Sequence, residues 1–220
     1  MFVPSLYRQP DVSWMVDLMV HNPLALAASS GESGARPFVT TLPAIPDPGM
    51  TDAWSADLSG GVLLGHMNRA NPHWKALRDG DEITLVFTGP HGYVSPGVYG
   101  VEPAAPTWNF TSVHVHGVVR KIEDLAGTLD VVKSTVRAFE AGFGTGWDMT
   151  GSLDYFRKIA PAAGAFRVAV VGAEGMFKLS QEQPAEVRER VRCSFAGRED
   201  SAGHRGSAEL MARLACPHAD

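Results

Sequence analysis

The sequence predicts a mainly β protein with peripheral helices, an α+β fold built on a small antiparallel β-barrel. Three observations carry that expectation. Six or seven short β-like runs follow one another, most of them apolar or alternating. Helical patterns interrupt them at irregular intervals, without the strand–helix alternation of a parallel sheet. No Gly-x-Gly-x-x-Gly is present, which sets a Rossmann fold aside.

Taken in order, Val12 to His21 places Trp14, Met15, Leu18 and Met19 at helical spacing, with Asp11 or Ser13 able to cap and Asn22-Pro23 ending the run. Leu24 to Ser29 and Arg36 to Leu42 read as a hairpin around the Ser30 to Gly34 turn. Pro43 to Ser59 is expected to be a loop. Gly61 to Met67 is an apolar strand buried on both sides. Asn71 to Leu77 is a short helix with proline at its favoured first-turn position. Asp79-Gly80-Asp81 turns the chain into the strand Glu82 to Thr88. Gly89 to Thr107, rich in proline and glycine, reads as a long functional loop.

Val113 to Arg120 alternates, with Val113, Val115 and Gly117 on one face and His114, His116 and Val118 on the other. Leu129 to Ala141 and Leu153 to Ala160 are amphipathic helices. Ala165 to Val171 and Met176 to Leu179 are two strands joined by a Gly172 to Gly175 turn. Pro184 to Arg192 is a charged helix. From Ala196 onward small and charged residues predict a poorly ordered tail with a short helix at Glu209 to Leu214. The expected organisation is one domain over 1–192 and a flexible tail over 193–220.

Charge and composition narrow the function. A net charge of -5 with no basic block argues against nucleic acid as a partner. Neither a signal-peptide pattern nor a run of about 18 apolar residues is seen, so a cytoplasmic protein without a membrane span is expected. Cys193 and Cys216 have no metal-ligand spacing and are expected as reduced thiols.

The chemistry-bearing residues gather between Gly61 and Arg120. His66 ends an apolar strand, where a neutral imidazole can either hold a metal or sit hydrogen-bonded in a barrel wall. Arg69, with Asn68 and Asn71, lies at a strand-to-helix turn that can bind an anion, and Lys75 can add charge to that edge. His114 and His116 can chelate a metal only with a third ligand. A histidine pair lining a pocket is the simpler reading. Tyr93, Tyr99, Trp108 and Phe110 give the loops aromatic surface, whether to cover a ring cofactor or to anchor a loop.

Met1-Phe2-Val3-Pro4, the block Gly65-His66-Met67-Asn68-Arg69-Ala70-Asn71-Pro72-His73-Trp74, Gly89-Pro90-His91-Gly92-Tyr93-Val94-Ser95-Pro96, Pro106-Thr107-Trp108-Asn109-Phe110 and Phe177-Lys178-Leu179-Ser180-Gln181 resemble the PaiB-like "FMN-binding negative transcriptional regulator" family over roughly residues 1–192. The resemblance implies a homodimeric, flavin-reductase-like split β-barrel with its cofactor site at the subunit interface. In flavin-type members the loop after Ser95-Pro96 carries a lysine that helps hold the FMN phosphate. Here it reads Gly97-Val98-Tyr99-Gly100-Val101-Glu102-Pro103-Ala104-Ala105, without one.

That loop is similar to a divergent branch of the family, the piperazate synthases, which place haem b where relatives place FMN. These enzymes cyclise N5-hydroxy-L-ornithine to L-piperazic acid by N–N bond formation for nonribosomal peptide pathways. The resemblance implies His66 as the iron ligand and Arg69 and Lys75 beside the propionates. Asn71, Trp108 and Phe110 line the cofactor, Glu102 faces the substrate, and His91, Tyr93, His114 and His116 are candidates for moving the proton. The alternatives are an FMN-binding oxidoreductase, a PaiB-like transcriptional regulator, and haem degradation or storage on the same barrel.

Overall fold

The computed structural model describes residues 1–9, 11–31, 36–50, 54–198 and 201–215. Six strands close an antiparallel barrel in the order β1-β2-β3-β6-β5-β4. They are β1 (Leu24–Ser29), β2 (Phe38–Pro46), β3 (Val62–Asn68), β4 (Glu82–Val94), β5 (Thr107–Ile122) and β6 (Ala163–Lys178). Helices α1 (Ser13–His21), α2 (Pro72–Ala76), α3 (Pro96–Tyr99), α4 (Leu125–Phe143), α5 (Leu153–Ile159), α6 (Ala185–Ala196) and α7 (Ala202–Ala215) surround it. None of the described helices is long and apolar enough to cross a membrane.

The barrel interior follows from period-2 alternation. Leu63 and Met67 of β3, Ile83, Leu85 and Phe87 of β4, Val113, Val115 and Val119 of β5, and Phe166 and Val168 of β6 are all buried. Gly65 pairs with Phe166, and a Cβ at Gly65 would lie 2.7 Å from the Phe166 ring, so the glycine makes room for the largest side chain of that layer. The chain divides into two compact units, residues 11–87 with 114–174, and residues 1–10 with 88–113 and 175–220.

Five expectations are corrected. Strand β2 continues through Pro43 to Pro46, where a loop was expected; the paired register Leu24↔Pro43 places the proline opposite a residue at the end of β1. The turn expected at Ser30 to Gly34 lies outside the described residues from position 32 on, as does part of the expected Pro43 to Ser59 loop, at 51–53. Strand β4 continues beyond Thr88 through Gly89 to Val94, all of which was read as loop. Its buried positions are 83, 85, 87 and 89, then 92 and 94, a one-residue slip at Pro90–His91. Such a slip, as at a β-bulge, is where a strand tolerates a residue with no N–H. Correspondingly, β5 begins at Thr107 rather than Val113.

Strand β6 is one element rather than two with a glycine turn between. Phe166, Val168 and Val170 are buried, then Gly175 and Phe177, so its alternation also slips by one, at 172–174. The tail from Ala202 forms α7, with Ser207 and Met211 buried. Gly203 and Gly206, which made this stretch look disordered, give α7 its close approach: Cβ atoms there would meet the His91 carbonyl oxygen and the Pro90 ring at 2.7 Å. Cys193 is free and exposed; Cys216 lies outside the described residues.

Candidate functional site

On β3 the side chains that face away from the barrel interior are Val62, Leu64 and His66. Leu64 packs with Ile45, Val131 and Ala165, and Val62 and Phe139 border that cluster, so α4 covers this face of the strand. This is the two-sided burial its apolar run predicts. His66 continues the row. It lines a cavity of about 290 Å³ with Val132 of α4, Phe156 and Ile159 of α5, and Ala160, Ala162 and Ala163. Its Nδ1 is buried and has no hydrogen-bond partner. Burial lowers the imidazole's affinity for a proton, so the ring is neutral at pH 7.

An orphaned buried ring nitrogen costs about 1–3 kcal/mol. A neutral imidazole with a nitrogen to spare and apolar neighbours fits a haem-iron ligand. The cavity lies at the lower edge of the roughly 300–1,000 Å³ usual for ligand pockets, so it holds the imidazole and does not by itself enclose a macrocycle.

Of the three residues read as anion anchors, Arg69 and Asn71 have other partners and Lys75 lies elsewhere. Arg69 Nε donates to the Ala163 carbonyl at 2.8 Å, its guanidinium lies 5.6 Å from the Trp74 ring centroid, and Nη1 is 3.7 Å from Glu123. Arg69 therefore fastens the end of β3 to the Ala163 wall of the His66 cavity. Asn71 caps α2, its Oδ1 accepting from the His73 N–H at 2.9 Å while its Nδ2 donates to Thr40 at 3.2 Å. Lys75 is exposed at a different cavity, bordered by Ser29, Phe38, Arg78 and Asp81. The sequence reading passed over His73, which is 1 % exposed, bonded to Thr40 and Ser29 at 3.0 Å each and stacked on Phe38. Burial lowers its pKa as well.

His114 and His116 share one face of β5, as their spacing predicts, opposite the buried Val113 and Val115. His116 Nδ1 lies 3.0 Å from Thr84 Oγ1 and Nε2 lies 2.9 Å from Glu174 Oε2, so both nitrogens are engaged. Burial works to raise the Glu174 pKa, but the hydrogen bond from His116 helps hold it below the usual value. Burial lowers that of His114.

The pair does not join His66. A Cβ at Gly117 would come within 2.6 Å of the Ala169 carbonyl oxygen, four residues along β6 from Ala165, the partner of His66. At a rise of about 3.3 Å per residue, that separation is about 13 Å along the strand. Among the described residues no group of three His, Cys, Asp or Glu is arranged to hold a metal ion.

The second unit carries the aromatic residues. Trp108 Nε1 donates to His91 Nδ1 at 3.3 Å, and the Trp108 ring lies 5.9 Å from both the His91 and Tyr93 rings. Because His91 Nδ1 accepts, the neutral ring carries its proton on Nε2. Tyr93 and Trp108 are 42 % and 49 % exposed and form an open platform. Phe110 is half-buried two residues along β5. Asn109 between them is buried and donates to Ser180 at 2.9 Å. Pro96, Gly97, Gly100, Val101, Glu102, Pro103 and Ala104 enclose a cavity of about 670 Å³. Lys178, not singled out from the sequence, donates to Thr107 Oγ1 and lies 5.9 Å from the Tyr7 ring.

Residues 1–171 match the family described as "Putative FMN-binding domain". An uncharacterized protein of Aspergillus fumigatus is 25% identical over 87% of this chain and 89% of its own length. "Protease synthase and sporulation protein PAI 2" of Bacillus subtilis is 33% identical over 32% of this chain and 34% of its own length. Among solved structures, the "FAD and Heme binding protein from Mycobacterium smegmatis" superposes with a TM-score of 0.56 at 16% identity, covering 83% of this chain and 78% of that one. The last of these is a likeness of fold.

Proposed function

The chain belongs to this FMN-binding domain family, and from that premise we propose that it is a haem-dependent member, a piperazate synthase acting as a cytoplasmic homodimer. The observation that carries the reading is His66. A ring held neutral by burial is the ligating form of histidine, and with Nδ1 closed off inside the protein it is Nε2 that would meet the iron. Two facts support it. The 95–105 loop has no lysine for the dianionic phosphate of FMN. The Mycobacterium smegmatis protein carries haem on the same fold.

In this reading His66 holds the iron, Phe156 and Ile159 exclude water beside it, and a second copy of the chain completes the cradle. Bound haem supplies Lewis acidity toward the N–OH oxygen. The substrate's α-amine, as the free base, bonds to N5 as the N5–O bond breaks; the departing hydroxide takes a proton and leaves as water, and the α-nitrogen releases one proton in return. His91 is the donor we assign for that proton, because the Trp108 hydrogen bond fixes its N–H at Nε2. His116 is a weaker candidate with both nitrogens bonded, and His114 and Tyr93 lack an equivalent partner that fixes a proton in place. Arg69 acts by keeping the Ala163 wall against His66.

The FMN reading has its own support in the open Tyr93–Trp108 platform, which suits a flavin ring as well as a porphyrin. The absorption spectrum of the purified protein, with a pyridine haemochrome assay, separates the two. A Soret band that survives gel filtration and is lost in His66→Ala is expected. Flavin released on denaturation, with no Soret band, would reverse the assignment. Haem-loaded protein given N5-hydroxy-L-ornithine should form a product lighter by one water, which distinguishes synthesis from haem degradation.

A further inference from the structure

Helix α4 is anchored through its first half, where Thr128, Val131 and Thr135 are buried. Beyond Thr135 the packing stops: no residue from 136 to 159 is buried, and burial resumes only at Ala160. The segment 144–159 nevertheless supplies Phe156 and Ile159 to the His66 cavity. It consists of a loop, a 3-10 turn at Met149–Ser152 and the seven-residue α5, and neither the turn nor the helix has a buried residue. A helix that short is not stable in water by itself. With so few buried contacts, little resists its opening.

The two ends of the segment differ. At the first lie Gly146, with φ +84, and Gly151, and a Cβ at either would meet nothing within 4 Å. The second end is pinned to β3. The Arg69 backbone N–H donates to the Ala162 carbonyl at 2.9 Å, and Arg69 Nε donates to the Ala163 carbonyl at 2.8 Å. Between the slack end and the fixed one, the apolar side chains are only partly used. Ile159 lines the cavity yet is 46% exposed, Tyr155 one turn before it is exposed, and so is Trp147, whose ring lies 6.4 Å from that of Phe156.

We propose that residues 144–159 are a lid, pivoting on the end that Arg69 holds, which closes when a planar aromatic ring ligand seats beside His66. The ligand biases the lid because it offers Trp147, Tyr155 and Ile159 a surface that the open position does not. Helix α4 is then the fixed part of the roof over His66 and α5 the moving part. That the ring is a porphyrin rests on the proposed function. The lid does not, because a flavin presents the same flat face.

The test is hydrogen exchange of the full chain, followed by mass spectrometry of its peptides, without ligand, with hemin and with FMN. Without ligand, peptides within 144–159 should exchange at least about a hundredfold faster than those spanning Val131 to Thr135. Hemin should slow 144–159 at least about tenfold in the parent chain and not in His66→Ala. Unchanged circular dichroism would establish that the variant folds. Gly151→Ala limits the backbone at the slack end without touching the cavity. It should slow both the unliganded exchange of 144–159 and the association of hemin about two- to fivefold. Slowing by FMN and not by hemin would keep the lid and sink the proposed function. Protection of 144–159 equal to that of α4 without ligand, no slowing by either ring, or slowing that persists in His66→Ala would overturn the lid.

Discussion

His66 and His116 occupy outward positions on strands of one barrel, and they end in opposite states. At His66 the strand face is roofed by α4 and α5, so the ring is desolvated and one nitrogen is left without a partner. At His116 the side chain is 39% exposed and held at both ends by Thr84 and Glu174. Alternation put both rings outside. What covers the outside decided which could serve as a ligand and which became a structural clasp.

The comparison can be broken in order of expected effect. Phe166→Ala removes the fully buried ring that Gly65 accommodates, directly behind the His66 strand. A loss of about 3–5 kcal/mol is expected, read as a lower urea midpoint at unchanged slope. Leu64→Ala thins the roofed face next to His66 and should lose about 2–5 kcal/mol. If α4 is what isolates His66, this variant should also quicken hydrogen exchange in α4. His116→Gln should change stability by less than about 1 kcal/mol, because the bond it loses is half-exposed. A larger loss in thermal unfolding would mean that the clasp holds β5 to β6.

Acid sharpens the contrast. Burial lowers the pKa of both His66 and His73, so below the ordinary histidine value of about 6.5 the unfolded chain binds protons that the folded chain does not. Stability should therefore be full above that pH and fall as pH drops through it. A Tm series from pH 7.5 to 5.5 should decline less steeply in His73→Gln than in the parent chain. Equal slopes would refute the assignment of His73 as a desolvated neutral staple.

Local signals were legible where one physical effect dominated. The alternation of Val113 to Val119, the two-sided burial of β3, and Pro72 behind an Asn71 cap could each be read from spacing and residue type. Strands that change parity were not legible. Pro90 and Gly172 to Gly175 carry turn residues and break the period, so β4 was cut short and β6 was divided. Helix α7 was read only in its last part, Glu209 to Leu214, because the glycines of its first turns serve a neighbour distant in sequence. In the site, His66 was singled out from the sequence, but the roof that α4 and α5 form over it was not. The partners of Arg69 are a carbonyl on β6 and the face of Trp74, and no pattern in the sequence around Arg69 reveals the first.

The slip in β6 sets a rule for what this strand can become. Before it, Ala165 shares the roofed face with His66; after it, Glu174 reaches His116 although the two positions differ in parity. A strand of the same length without that irregularity would turn Glu174 inward and Phe177 outward together. Deleting one residue of Gly172-Ala173 would restore unbroken alternation while leaving Glu174 outside and Phe177 inside, so both histidine stations should outlast the irregularity.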